Sequence, residues 1–213
     1  MTQVTVVDYG IGNLFSVRHA LERCGGDVTL SGDGAVLERA ERLVLPGVGA
    51  FAGGMQGLRE RGLVEPIRRF AASGRPLLGI CLGMQMLSSV SEEFGRHDGL
   101  NLIPGRVTAI PHADIEGRPH KVPHIGWSEL LRPAGTIWEG SILDGTVEAT
   151  AMYLVHSFAV VPDDPAHRLA ECEYGGHRIV AAIRSGNVSG CQFHPERSGE
   201  HGLSILRKFL ERP

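Results

Sequence analysis

Leu77-Leu78-Gly79-Ile80-Cys81-Leu82-Gly83-Met84-Gln85 changes from one kind of structure to another within a few residues. Leu77 to Ile80 is an apolar run of strand length, and Leu82 to Val90 reads as a helix directly after it. Cys81 falls on the turn between them, in a Gly-x-Cys-x-Gly arrangement. A residue on so sharp a turn has strained backbone angles, and its neighbours must be small to pack. Gly79 and Gly83 meet that need. The helix start turns its free N–H groups and positive dipole end toward the sulfur, which favours thiolate, and the Leu82 N–H can face an oxyanion. An isolated cysteine is more often inert core. Here the strand, the glycines and the helix agree on a nucleophile.

The same rhythm extends outward. Val4 to Val7 is a short apolar run. Asn13 then opens a helical pattern with Leu14, Val17, Ala20 and Leu21 on one face, and Gly25-Gly26 stops it. Val28 to Leu30 and Leu43 to Leu45 read as strands with a short polar helix between them, and helical segments fill Met55 to Ser73. This βαβ alternation predicts an α/β fold, with a mainly parallel central sheet flanked by helices. From Pro104 to Val161 short strands replace it, including Arg106 to Ile110 and Met152 to Val155. Ala170 to Tyr174, Ile179 to Arg184 and Val188 to Phe193 follow as strands joined by Gly-containing turns. The C-terminal half therefore adds an antiparallel region. Leu203 to Leu210 closes the chain as an amphipathic helix. With no repeat and no long linker, residues 1–213 read as one domain.

Composition narrows the partners. Hydrophobic residues make up 42%, charged residues 21% and aromatics 6%, with a formal net charge of -3. The lack of a basic run and the few aromatics argue against nucleic acid, and no apolar run approaches bilayer length. Cys24, Cys81, Cys172 and Cys191 form no CxxC pair and no zinc-ligand spacing, so no metal and no cofactor is expected. Free thiols and an N-terminus that enters a strand at once point to the cytoplasm.

A nucleophilic cysteine needs a base held by a third group. Gln192-Phe193-His194-Pro195-Glu196 offers both, with His194 after the last strand and Glu196 two residues on. His156 is the rival, but it lacks a carboxylate nearby in sequence. His97, His112, His120 and His124 sit in polar or Pro-rich stretches and read as surface or loop residues.

Gly79 to Gln85 together with His194-Pro195-Glu196 resembles the class I, triad-type glutamine amidotransferases, whose fold is flavodoxin-like. Finer motifs are similar to the glutaminase-subunit family of imidazole glycerol phosphate synthases. These are Asp8-Tyr9-Gly10-Ile11-Gly12-Asn13, Leu45-Pro46-Gly47-Val48-Gly49, Val122-Pro123-His124-Ile125-Gly126-Trp127, Tyr153-Leu154-Val155-His156-Ser157-Phe158 and Gln192 to Gly199. The resemblance implies hydrolysis of L-glutamine through a Cys81 thioester. Ammonia would pass to a partner cyclase subunit, a (β/α)8 barrel, in a heterodimer of histidine biosynthesis. It implies an oxyanion hole from Leu82 and from Val48 or Gly49. It places Gln85, Glu93, Tyr153, His156 and Ser157 around the substrate, with Glu92 an alternative to Glu93. It implies that the Pro46 to Gly49 turn presents its donor only when the partner is loaded, a reorientation that Gly47 and Gly49 would permit. Trp127 suits the partner or the core, with the partner favoured. Ser128, where the family often has Asn, and Arg197, where Lys is common, are mild departures. Another ammonia acceptor, or a non-catalytic redox protein on the same elbow, are the competing readings.

Overall fold

The fold is that of a computed structural model, in which residues 1–211 are described. In chain order the elements are β1 Thr2–Val7, α1 Leu14–Arg23, β2 Gly26–Ser31, α2 Gly34–Arg39, β3 Leu43–Gly47, α3 Phe51–Glu60, α4 Val64–Ala72, β4 Leu77–Cys81 and α5 Leu82–Met86. Then come β5 Val90–Ser91, β6 His97–Asp98, β7 Gly105–Ala109, β8 His124–Glu129, β9 Ala151–His156 and β10 Phe158–Pro162. Last are β11 Arg168–Tyr174, β12 His177–Ser185, β13 Val188–Cys191 and α6 Gly199–Glu211.

The main sheet is 7-stranded, in the order β11-β12-β13-β4-β3-β1-β2. The run from β13 through β2 is parallel, and β12 is antiparallel to both of its neighbours. Strands covered on both faces read as near-continuous apolar runs, which is why Leu43 to Leu45 and Leu77 to Ile80 were visible in sequence. Their alternation sends residues to opposite faces. Val4, Val6, Val44, Leu78 and Ile80 pack with Val17 and Leu21 of α1 and Leu203, Leu206 and Phe209 of α6. Val7, Leu43, Leu45 and Leu77 pack on the other face with Leu58, Ile67, Phe70 and Leu82. The additions are the antiparallel β11–β12–β13 edge, a mixed 4-stranded sheet ordered β10-β7-β5-β6 in which β5 and β7 run parallel, and the antiparallel β8–β9 pair.

Local chemistry sets the boundaries. The Asn13 side chain accepts from Ser16 N and caps α1, and Gly25 leaves it at φ +91. Gly175-Gly176, both at positive φ, turn β11 into β12.

One expectation fails. The helix after the elbow ends at Met86 rather than Val90. The carbonyls of Met86, Leu87, Ser88 and Ser89 accept instead from the amides of residues 99–103. That tertiary pairing leaves the helix no acceptors with which to continue. It also needs the close approach of Gly99, where a Cβ would lie 2.2 Å from the Ser88 carbonyl oxygen.

Candidate active site

Register brings the site together at the C-terminal edge of the parallel strands, the usual place for a ligand in open α/β sheets. Gly47 at the end of β3 lies opposite Cys81 at the end of β4, and Cys191 of β13 lies opposite Ile80. The turn at Val48-Gly49 and the segment from Gln192 to His194 therefore leave the sheet on either side of the sulfur. A cavity of about 320 Å³ opens there. Its walls include Val48, Gly49, Cys81, Leu82, Gln85 and Glu93, with His156, Ser157 and His194 opposite.

Cys81 has φ 55 and ψ -113, in the positive-φ region that side chains rarely occupy. The surroundings enforce this strain. A Cβ on Gly83 would lie 1.8 Å from the Leu45 carbonyl oxygen, and one on Gly79 would lie 2.7 Å from the Gly83 carbonyl oxygen. Either side chain would push the elbow off the sheet. The Leu82 amide is the first of α5, so helix geometry gives it no partner within the helix. Burial pushes Cys172 up to about 12 and pushes Cys191 well above the usual thiol range, so neither supplies a thiolate.

His194 Nδ1 lies 2.8 Å from Glu196 Oε1, and the two side chains are only 7% and 2% exposed. Burial on its own would lower the imidazole's pKa. Hydrogen bonds and charge from Cys81, and then from Glu196, outweigh it and raise the value to about 10. The imidazolium is thus the stable form of His194, within hydrogen-bonding reach of Cys81. The loop is fixed from below: His194 N donates to Tyr153 O, and Ser198 Oγ–H donates to His194 O.

His156 is also at the cavity but in the opposite condition. Burial lowers its pKa to about 4, so it stays neutral. Its Nδ1 is 3.0 Å from Phe158 O, which can only accept, so the proton sits on Nδ1. Its Nε2 is 3.1 Å from His124 Nδ1, and His124 Nε2 is 2.9 Å from Ser128 Oγ. The protons of this chain therefore run from Ser128 through His124 to His156. This corrects the placement of His124, which is buried and stacked on Tyr174 rather than on the surface.

The remaining candidates separate. Glu93 is buried on the cavity wall, and its Oε2 accepts from Phe51 N at 2.6 Å, bracing the start of α3 just beyond the Pro46 to Gly49 turn; Glu92 is exposed. Gln85 and Ser157 line the cavity. Tyr153 does not: its ring lies outside, edge-on to Trp127 at 6.0 Å and beneath the Arg197 guanidinium at 5.0 Å. The two glycines of the Pro46 to Gly49 turn also differ. Gly49 has φ +90 and open space around it, whereas a Cβ on Gly47 would lie 2.6 Å from Tyr9 Oη. Freedom to reorient therefore belongs to Gly49, while Gly47 provides close packing. The Tyr9 hydroxyl donates to Pro46 O at 2.8 Å and anchors the base of the turn.

Gln192, Phe158 and Pro123 carry no role in the sequence reading, yet all three stand at the site. Gln192 was detectable. It is a polar residue directly after the apolar strand β13, two positions before His194. Among the described residues no cluster of three or more His, Cys, Asp or Glu could hold a metal, and no helix is long and apolar enough to cross a membrane.

Comparisons with known proteins place this geometry. The family model described as glutamine amidotransferase class-I matches residues 5–212. Imidazole glycerol phosphate synthase subunit HisH 1 of Legionella pneumophila (strain Paris) is 50% identical over 99% of this chain and 100% of its own. Subunit HisH of Geobacillus thermodenitrificans is 47% identical over 99% of this chain and 96% of its own. Among solved structures, PurLQS from Thermotoga maritima superposes with a TM-score of 0.72 at 23% identity, covering 99% of this chain and 98% of the other. A glutamine amidotransferase from the same organism gives 0.65 at 16% identity, covering 94% and 80%. At those identities the structural matches speak for the fold alone. The family model and the HisH identities go further: this chain belongs to the class-I glutamine amidotransferases, within the family of imidazole glycerol phosphate synthase HisH subunits.

Proposed function

We propose that the chain hydrolyses L-glutamine at Cys81 and hands the ammonia to a cyclase partner, a (β/α)8 barrel, which makes imidazole glycerol phosphate and an aminoimidazole carboxamide ribotide in histidine biosynthesis. The observation that carries this reading is a strained, cavity-facing Cys81 beside a His194 that Glu196 holds protonated.

The Cys81 thiolate attacks the side-chain amide carbon of glutamine. The carbonyl oxygen becomes an oxyanion, stabilised by the amides of Leu82 and of Val48 or Gly49. His194 gives its proton to the amide nitrogen, the C–N bond breaks, and ammonia leaves a glutamyl thioester on Cys81. A water then loses a proton to His194 and attacks the thioester, releasing glutamate and the thiolate. Gln85, Glu93, His156 and Ser157 surround the substrate. A neutral His156 offers no charge that would compete with His194 for the thiolate. Tyr153 serves from outside, by holding the His194 loop.

Exposed apolar residues stand on the cavity wall and on the neighbouring strand β8: Val48 at 41%, Ile125 at 53% and Trp127 at 58% exposure. Such a surface suits a docking face, and a seated partner would close the route by which ammonia reaches solvent. Localisation in the cytoplasm accords with the pathway and with four free cysteines. The test is glutamate release from glutamine by this chain, alone and with the cyclase subunit and its ligand. Strong turnover in the loaded complex and little in the isolated chain supports the reading. Equal turnover in both would refute gating through Gly49, and no turnover in either would refute the assignment.

A further inference from the structure

The amide of Gln192 has an orientation that its partners dictate. The side chain is fully buried between Gln85 and Cys81. Gln85 Nε2 is 2.9 Å from Gln192 Oε1, and Gln192 Nε2 is 3.6 Å from Cys81 Sγ, a length set by the larger sulfur atom. The two ends of an amide are told apart by the groups they meet. Here a backbone carbonyl decides. Phe158 O can only accept, and it lies 3.1 Å from the Gln85 amide, so the NH₂ end of Gln85 faces it. The same NH₂ also reaches Gln192, which must therefore answer with its oxygen. Its own NH₂ is left directed at the sulfur. The Phe158 carbonyl is itself held by the His156 Nδ1–H, so the reference point of the chain is fixed.

From this geometry we infer that Gln192 is a further catalytic residue, whose side-chain N–H donates to the Cys81 thiolate. A hydrogen bond to an anion is stronger than one to a neutral acceptor. The donor therefore holds more of the sulfur as thiolate before glutamine arrives. It acts again when the thioester is hydrolysed, because the C–S bond breaks with its electron pair going back to sulfur, where the N–H meets it. The first effect is partly offset, since a stabilised thiolate is a weaker nucleophile. The assignment rests on Cys81 being the nucleophile proposed above.

Gln192→Met keeps length and apolar packing but removes the donor. Alkylation of Cys81 by iodoacetamide, read on the Cys81 peptide by mass spectrometry across a pH series, reports the thiolate without needing glutamine or a partner. The neutral-pH rate is expected to fall about tenfold in Gln192→Met, with the rate in alkaline solution equal to or somewhat above wild type, and glutaminase kcat/KM in the loaded complex to fall by about as much. Gln192→Glu preserves shape and sets a carboxylate against the sulfur, so its neutral-pH alkylation is expected to fall further still. A packing role alone would spare this variant, and it carries the test if the Met variant does not fold. Wild-type alkylation profiles in the folded variants would overturn the assignment. A wild-type chain that alkylates at Cys81 but hydrolyses no glutamine in the loaded complex would instead overturn the proposed function.

Discussion

Replacing Glu196 with Gln removes one negative charge and almost no volume. The carboxylate lies 2.8 Å from His194 Nδ1, and both side chains are nearly out of solvent. With charge centres about 4 Å apart and an effective dielectric of about 20, the attraction is worth about 4 kcal/mol. At about 1.4 kcal/mol per pH unit, that displaces loss of the imidazolium proton by up to about three pH units. His194 loses its proton at about 10 in the native chain. In Glu196→Gln it is expected to do so at a pH lower by up to about three, with the Cys81 contribution remaining. The sign follows from the direction of the shift. A histidine whose folded pKa is raised contributes stability that is fully present below the ordinary imidazole range. That stability is lost as pH rises through the folded value, and the variant forfeits the part that Glu196 supplies. The assay is an NMR titration of the His194 ring protons in the isolated chain, with Glu196→Gln alongside. Glutamine turnover in the complex should fall by a hundredfold or more, as expected for a misplaced general acid–base, roughly 10² to 10⁴. An unchanged His194 titration in Glu196→Gln would refute the claim that this carboxylate holds the imidazolium.

Other perturbations test separate parts of the account. Gly83→Ala places a Cβ where the Leu45 carbonyl oxygen leaves 1.8 Å; the cost should reach about 3 kcal/mol or exceed it, read as a large fall in melting temperature or as insoluble protein. A melting temperature near wild type would contradict the packing argument. His156 has a lowered pKa, about 4 in the folded chain, so acidification through the range between the ordinary imidazole value and 4 should destabilise the fold. His156→Asn should flatten that part of the stability–pH curve by about 3 kcal/mol in urea titrations; an unchanged slope would mean that the buried imidazole is not the group responsible. Trp127→Ala should leave the melting temperature almost unchanged, because the ring is largely exposed, while weakening association with the cyclase subunit by tenfold or more in calorimetry. Undiminished affinity would move the docking face elsewhere.

Much of the fold was legible because buried parallel strands leave continuous apolar runs. Val4 to Val7, Leu43 to Leu45 and Leu77 to Ile80 each became a strand of the central sheet. The helix after the elbow was overextended because its end is set by the loop at residues 99–103, a long-range competitor that no local pattern reveals. The short strands β5, β6, β8 and β10 were not named as individual elements: β5 and β6 are two-residue pairings, and β8 buries His124 while turning its apolar Ile125 and Trp127 outward, the reverse of the expected pattern. At the site, strand–turn–helix and His-x-Glu were readable because each is a local device. The burial of His124 was not, since its partners His156 and Tyr174 come from distant strands. Glu93 could not be separated from Glu92 until the amide of Phe51 was seen to choose between them.

The central claim is that Cys81 serves only the glutamine half of a two-part reaction. The most direct measurement is imidazole glycerol phosphate synthesis by the complex of the cyclase subunit with the Cys81→Ala chain, driven first by glutamine and then by ammonium salt. Glutamine-driven synthesis should vanish while ammonia-driven synthesis persists at the wild-type rate. Glutamine-driven synthesis that survives the substitution would contradict the account.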